Sequence, residues 1–359
     1  MKKRVLVAPL DWGLGHATRC IPVIRELQRQ GCTVLVAGSG DSLVLIQKEF
    51  PDMIFRSIPG YRPQYPANGS MVLSMLRQLP RFMQVIVAEH RAIARIVEKD
   101  GIDLLISDNR FGCWTRKIPS IFITHQSNIL MPKRFGWLRH LIRPVMNYVI
   151  ARYDHCWIPD FPGDHSLAGD LMSFGSTGAT KSPTYIGPLS RFAIRTPSRM
   201  RFDVLAIFSG PEPQRTILEN IVVPQLKSSS LTYRVVRGLP TLNNHSSDDT
   251  HIVNFLSSDE LQECIESSQL IIARSGFSTV MDMASLGKNA VFIPTPGQTE
   301  QEYLAKRLME RNIAFCMKQD EFDLNTALQQ SNAYNGFIPL PKEHFLRDAI
   351  SSILSLVKR

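Results

Sequence analysis

No apolar run in the sequence approaches the ~20 residues a membrane-spanning helix needs, which argues against an integral span. The six cysteines (Cys20, Cys32, Cys113, Cys156, Cys264, Cys316) form no C-x-x-C and have no histidine pair nearby. That argues against a zinc site or a disulfide framework and fits a reducing cytoplasm. No Asp-x-Asp pair occurs; Asp248 and Asp249 are adjacent and point apart in an extended segment, so no metal site is expected. Neither G-x-G-x-x-G nor Gly-Lys-Ser/Thr is present, which excludes the dinucleotide fingerprint and the nucleotide P-loop in their usual forms. No nucleic-acid module and no internal repeat is found. The basic start Met1-Lys2-Lys3-Arg4 leads into a strand pattern without a small-residue cleavage site and reads as a first strand rather than a leader.

What the chain does have is length and rhythm. Its 359 residues favour about two domains, and 44% apolar with 20% charged residues fits ordinary globular folding. The net charge of +9 suits phosphates or an anionic surface, or is simply a basic balance. Short apolar runs at 3–8, 33–38, 53–58, 103–107, 120–124 and 155–159 read as buried strands. Amphipathic runs between them, such as 17–30 and 71–98, read as helices, and Gly31 is placed to cap the first. Residues 161–200 are crowded with Gly and Pro and read as loop and linker. The alternation then resumes, with strands at 202–208, 233–237, 252–255, 270–273 and 290–293 and helices at 214–227, 258–267, 279–286 and 300–311. The expected class is α/β, with two doubly wound Rossmann-like domains facing across a cleft. Their boundaries are 1–190 and 200–341, with a final helix in 342–359.

Open parallel sheets bind ligands beyond the carboxyl ends of their strands, so chemistry is expected in the strand-to-helix loops. The first is Asp11–Arg19, containing Gly13, Gly15 and His16. Glycines allow close backbone approach, and a histidine there can act as a general base or can simply pack at the helix start. Arg19 has two possible partners, an anion or Asp11. The second is Ala273-Arg274-Ser275-Gly276-Phe277-Ser278-Thr279 with Asp282 one turn on. It reads either as a diphosphate cradle with a ribose acceptor or as a capped helix. The third is 294–302, where Gln298, Glu300 and Gln301 suit sugar hydroxyls and the acids also suit a helix dipole. Ser209-Gly210 ends another strand and offers a backbone donor. Residues 131–152 mix Lys133, Arg134, Arg139, Arg143 and Arg152 with Trp137, Leu141 and Val145. This segment reads as a membrane-surface helix or as an amphipathic cover for the sheet.

With these loops in order, the chain resembles the GT-B glycosyltransferases of family 28, the branch of the lipid-linked peptidoglycan N-acetylglucosaminyltransferase and the galactolipid synthases. Residues 271–308, IIARSGFSTVMDMASLGKNAVFIPTPGQTEQEYLAKRL, carry the resemblance most specifically; GLGHATR and His125-Gln126-Ser127-Asn128 carry it more weakly. The resemblance implies donor binding by Ser209, Gly210, Arg274, Ser275, Gly276, Ser278, Thr279, Asp282, Gln298, Glu300 and Gln301. It implies an acceptor side at Gly13, Gly15, Arg19, His125 and Asn128, and a final helix that crosses back to the first domain. Asp282 stands where relatives usually carry Glu, and Gln126 stands where the peptidoglycan enzyme carries Glu. The implied reaction is an inverting transfer from a nucleotide-diphosphate sugar, a UDP-sugar, to a hydroxyl acceptor, lipid-linked or cell-envelope glycan among the options. No cofactor or metal takes part: Arg274, backbone donors and a helix end stabilise the leaving diphosphate. His16 is the first candidate base, Asp108 the second or the residue that orients it, and His125 the third. The expected location is the cytoplasm, at the inner face of the membrane if contact occurs. Gly15-His16-Ala17-Thr18-Arg19-Cys20 also resembles sugar-nucleotide hydrolases, so a hydrolase or 2-epimerase, and a non-catalytic sugar-nucleotide binder, stay open as alternatives.

Overall fold

Strands made of unbroken apolar runs bury both faces, and that is how both sheets of this chain are built. The computed structural model describes residues 2–172, 183–193, 195, 199–244, 249–338, 340 and 344–357. The first sheet contains β1 (Arg4–Pro9), β2 (Thr33–Gly38), β3 (Ile54–Ser57), β4 (Leu104–Asp108), β5 (Ser120–Ile123), β6 (His155–Ile158) and β7 (Thr184–Tyr185), in the order β3-β2-β1-β4-β5-β6-β7. The second contains β8 (Phe202–Ile207), β9 (Tyr233–Val236), β10 (Ile252–Val253), β11 (Ser268–Ala273) and β12 (Ala290–Phe292), in the order β10-β9-β8-β11-β12. Each strand pairing within them is parallel.

The strand order reverses at β1 and again at β8, so each sheet has a switch point: β1 beside β4, and β8 beside β11. The loops leaving these four strands are Asp11–Gly13, Asn109–Arg110, Ser209–Gly210 and Arg274–Gly276. Three of these loops, those at Asp11–Gly13, Ser209–Gly210 and Arg274–Gly276, are ones the sequence singled out.

Helix α1 (Leu14–Arg29) starts three residues earlier than expected. Gly13, at φ 82°, turns the chain sharply enough for the helix to begin at once, so Gly15 and His16 lie inside its first turn. At its other end Gly31, also left-handed, donates to Gln28 O (2.9 Å) and Cys32 donates to Leu27 O (3.0 Å), the Schellman pattern. Helices α2 (Gly40–Glu49), α3 (Met71–Asp100) and α4 (Leu138–Ile150) flank the first sheet; α5 (Gln214–Lys227), α6 (Ser258–Glu266), α7 (Phe277–Leu286), α8 (Thr299–Glu310) and α9 (Leu324–Ser331) flank the second. The last helix, α10 (Phe345–Leu356), lies against α1: Ala349, Ile350 and Ile353 join Ile21, Ile24 and Leu27 in one buried cluster. The expected start of this helix at Lys342 and most of the Gly/Pro segment after Met172 lie outside the described residues.

That cluster also takes in Phe277, Met281 and Leu304 from α7 and α8, so the apolar core runs from one half of the molecule into the other. Among the described residues no helix is long and apolar enough to cross a membrane.

Candidate active site

At the end of β4, Asp108 is fully buried, and three side chains of α1 converge on it. Arg19 Nε lies 2.9 and 2.8 Å from the two carboxylate oxygens, and its Nη2 also reaches Oδ1. His16 Nδ1 lies 3.1 Å from Oδ2, and Cys20 Sγ 3.7 Å from the same oxygen. Arg19 therefore pairs with Asp108; Asp11 instead accepts from Arg110 (3.4 Å) and from the Tyr61 N–H (3.1 Å). Burial raises the Asp108 carboxyl, but the Arg19 guanidinium and His16 outweigh it and hold its pKa at about 2. Burial and the nearby Arg19 charge push His16 down to about 4, so it is neutral near pH 7.

His16 has two competing partners. Arg19 Nη2 lies 2.7 Å from its Nδ1, and a guanidinium only donates. That contact puts the imidazole proton on Nε2. Asp108 at 3.1 Å calls for the opposite tautomer, with Nδ1–H donating and Nε2 bearing the lone pair. His125 is simpler: Nδ1 accepts from Arg19 Nη1 (2.7 Å), so Nε2–H donates to Glu300 Oε1 (3.1 Å). Glu300 belongs to the first turn of α8, on the other half of the molecule. Burial works against its ionisation, but the His125 hydrogen bond and the nearby Arg19 charge hold its pKa below the usual carboxylate range.

The second half meets this cluster through the start of α7. Phe277 stacks on His125, with centroids 4.7 Å apart and planes 2° from parallel. Ser278 Oγ donates to Gly15 O (2.8 Å), and a Cβ on Gly15 would crowd the Ser278 oxygen at 3.0 Å. The N-cap of α7 is Gly276, which brings no side-chain cap. Gly210 faces Gly13 across the same seam, its Cα 4.0 Å from where a Gly13 Cβ would stand.

Residues 224–336 match the glycosyltransferase family 28 C-terminal domain. An uncharacterized glycosyltransferase of Methanosarcina mazei is 24% identical over 86% of this chain and 84% of that protein. The UDP-N-acetylglucosamine--N-acetylmuramyl-(pentapeptide) pyrophosphoryl-undecaprenol N-acetylglucosamine transferase of Pasteurella multocida is 26% identical over 89% and 85%. Among solved structures, the glycosyltransferase SnogD of Streptomyces nogalater superposes with a TM-score of 0.60 at 12% identity, covering 100% of both chains. The MurG of Acinetobacter baumannii does so at 0.50 and 13%, covering 99% of both. The chain is a glycosyltransferase of the GT-B fold, and its residues 224–336 are similar to family 28.

The glycosyltransferase arranges several expected site residues differently from the expectation. Arg274 is almost fully buried, and its nitrogens face Ile293 O and Pro294 O (3.2 Å each), Gln214 O (2.7 Å) and Gln319 Oε1 (2.5 Å). Burial lowers its pKa to about 9. It braces three chain segments behind the loop rather than reaching into the seam. Ser275 donates to Gln301 O (2.9 Å), and Gln301 Oε1 accepts from the Thr295 N–H (2.8 Å), so both are occupied inside the second half. Asp282 accepts from Ser190 Oγ (2.6 Å), where the chain passes between the halves, and burial raises it to about 6. Asn128 donates to Asp170 O (3.1 Å) and holds the turn at Gly169–Met172. His16 itself is enclosed: its side chain is 12% exposed, because the early helix start and α7 cover it. Ser278, His125 and Glu300 do gather with His16 and Asp108. Gln298 is the N-cap of α8 and Thr279 lies in the first turn of α7, both half-buried.

Sequence reasoning missed two features of the enzyme. Phe277 passed as filler between Gly276 and Ser278, yet its ring roofs His125. Arg110, two residues after Asp108, is fully buried and ties the strand ends together. It donates to Pro9 O (2.7 Å), Pro59 O (2.9 Å), Ser39 Oγ (2.9 Å) and Glu89. The clue was a basic residue directly after a buried strand, which a core tolerates only when it is paired.

Proposed function

We propose that the enzyme moves a sugar from a nucleotide-diphosphate sugar, with UDP as the expected nucleotide, onto a hydroxyl acceptor, with inversion and without a divalent ion. The observation behind this reading is that the His16–Asp108 pair and the start of α7 meet at one seam between the two switch points. In the proposed reaction the acceptor hydroxyl attacks the anomeric carbon from the face opposite the diphosphate. The bond to the diphosphate oxygen breaks as the new glycosidic bond forms. His16 Nε2 takes the hydroxyl proton, and Asp108 holds Nδ1–H and stabilises the imidazolium. The departing diphosphate gathers negative charge, and N–H groups at the start of α7, with the Ser278 and Thr279 hydroxyls, are suited to receive it. Because Ser278 now bonds Gly15, donor entry requires the seam to part.

The test is donor turnover by His16→Ala. Transfer falls about 10²- to 10⁴-fold, the usual worth of a general base, while UDP still raises the melting temperature. Unchanged turnover, or turnover lost to EDTA and restored by magnesium, overturns the reading. Rapid release of free sugar from the unaltered enzyme without any acceptor shows instead that water is the acceptor.

A lipid-linked acceptor at an anionic membrane face is part of the proposal. The Pasteurella relative's name specifies a pyrophosphoryl-undecaprenol acceptor. On α3, Leu73, Leu76, Met83 and Val87 form an exposed apolar stripe, and Trp137, Leu141, Val145 and Tyr148 form another along α4. Exposed Arg77 lies beside the first stripe and exposed Arg152 against Tyr148 of the second, the pattern of a surface that rests on anionic lipid.

A further inference from the structure

The ends of β2 and β3 and the start of α2 line an open cavity of about 400 Å³, set apart from the His16 cluster. Ser39, Gly40, Asp41, Gly60, Arg62 and Arg81 are among its lining residues, and Thr241 reaches it from the second half. The arginines are its unusual feature. Arg62 precedes α3 and Arg81 is on it; both are exposed, and neither guanidinium has a hydrogen-bond or ion-pair partner among the described residues. Elsewhere in this half the buried arginines, Arg19 and Arg110, are fully committed to carboxylates and carbonyls. Ser39 is nine-tenths buried and accepts from Arg110 Nη2 (2.9 Å), which leaves its own hydroxyl proton available. Asp41 is the one acid on the cavity wall. Asp11 lies behind Gly60 and is occupied by Arg110 and by the backbone N–H groups of Tyr61 and Arg62. Two arginines against one carboxylate, with hydroxyls between, suit a compact anion with several acceptor oxygens.

The cavity adjoins both sides of the proposed reaction. Ser42, in the first turn of α2, donates to Gly13 O (3.0 Å) and Leu10 O (3.2 Å), so the cavity wall and the loop that leads into the His16 turn of α1 are one fastened unit. Arg81 lies on α3, the helix whose other face carries the exposed apolar stripe, so the cavity and the stripe share one element.

We propose that this cavity binds a phosphate-type group of the acceptor, gripped by Arg62 and Arg81 with Ser39 as a further donor. The inference rests on the glycosyltransferase reading for the acceptor's role; the phosphate site itself stands on the cavity alone. Phosphate chemistry here has two possible sources, a soluble phosphorylated acceptor or a lipid headgroup.

The experiment measures binding of inorganic phosphate, glycerol 3-phosphate and phosphatidic-acid vesicles to the unaltered enzyme and to Arg62→Gln/Arg81→Gln. Arg95→Gln, on α3 but outside the cavity, controls for charge, and circular dichroism checks folding. Loss of about tenfold affinity per arginine, about a hundredfold together, is expected from charge-assisted contacts. Weakening confined to the vesicles assigns the group to a lipid; weakening confined to the soluble ligands assigns it to a free phosphate. Unchanged binding in the double variant, or equal weakening by Arg95→Gln, overturns the site. UDP binding on the same proteins tests the donor reading separately. UDP binding retained with phosphate binding lost supports the acceptor role, whereas an unaltered enzyme that ignores UDP overturns the donor reading and leaves the phosphate result standing by itself.

Discussion

Arg19 is the residue on which the chemistry of His16 turns. It donates to the same Nδ1 that Asp108 must receive a proton from, and its charge helps depress His16 to about 4. Removing it as Arg19→Gln relieves that depression and leaves Asp108 as the partner at Nδ1. The acid limb of kcat/KM, expected near pH 4 in the unaltered enzyme, then moves upward toward the ordinary histidine value of about 6.5. A merely structural arginine would lower activity at all pH values without moving the limb. His16 also shapes stability. Its folded pKa is below its unfolded one, so the unfolded chain binds the extra proton, and stability falls as pH drops from about 6.5 through about 4. In His16→Gln, urea midpoints taken across that window show a shallower fall. The identity and the loop of His16 were legible in the sequence because glycines after a strand are distinctive. Its enclosure was not, because Phe277 and Ser278 come from some 260 residues away. Arg274 shows the opposite failure: an arginine next to a glycine and serines reads as an anion ligand, and only the packing of Gln214, Ile293 and Gln319 around it shows where its nitrogens go.

Among elements, α1 and α7 determine the seam. The strand and helix rhythm that places them was readable throughout, since unbroken apolar runs and 3.6-residue spacing survive any tertiary context. Short or weakly patterned pieces were not: α2 and the two-residue β7 carry too little periodicity to stand out. Gly13 fixes the start of α1 at φ 82°, ψ 173°, an essentially glycine-only conformation that costs other residues about 1–3 kcal/mol. Gly13→Ala is expected to destabilise by that amount and to displace Leu14–His16, which differential scanning calorimetry and turnover together would register. On α7, Asp282 is raised to about 6 by burial while it holds Ser190. Its raised folded pKa gives stability that is fully present below about 3.8 and lost as pH rises through about 6. Asp282→Asn keeps the shape and removes the charge. Its stability is therefore expected to be flatter than that of the unaltered enzyme between pH 4 and 6. On α3 and α4, Leu76→Asp or Val145→Asp is expected to abolish co-sedimentation with anionic vesicles while leaving UDP binding intact.

For the whole molecule, the two sheets are distinct in hydrogen bonding but not in burial. His125 to Glu300, Ser278 to Gly15, Thr299 to Leu130 O (2.7 Å) and Tyr303 to the Asp170 N–H (2.8 Å) all cross between the halves. Beneath them Phe277, Met281 and Leu304 share a core cluster with Ala17, Cys20 and Ile21. Those contacts have a calorimetric consequence. Parting the halves hydrates hydrocarbon, so the free enzyme should absorb more heat per degree when its seam gapes than when it is shut. A ligand that draws the halves together must then bind with an enthalpy that grows steadily more exothermic on warming, and titrations at three temperatures would reveal that slope.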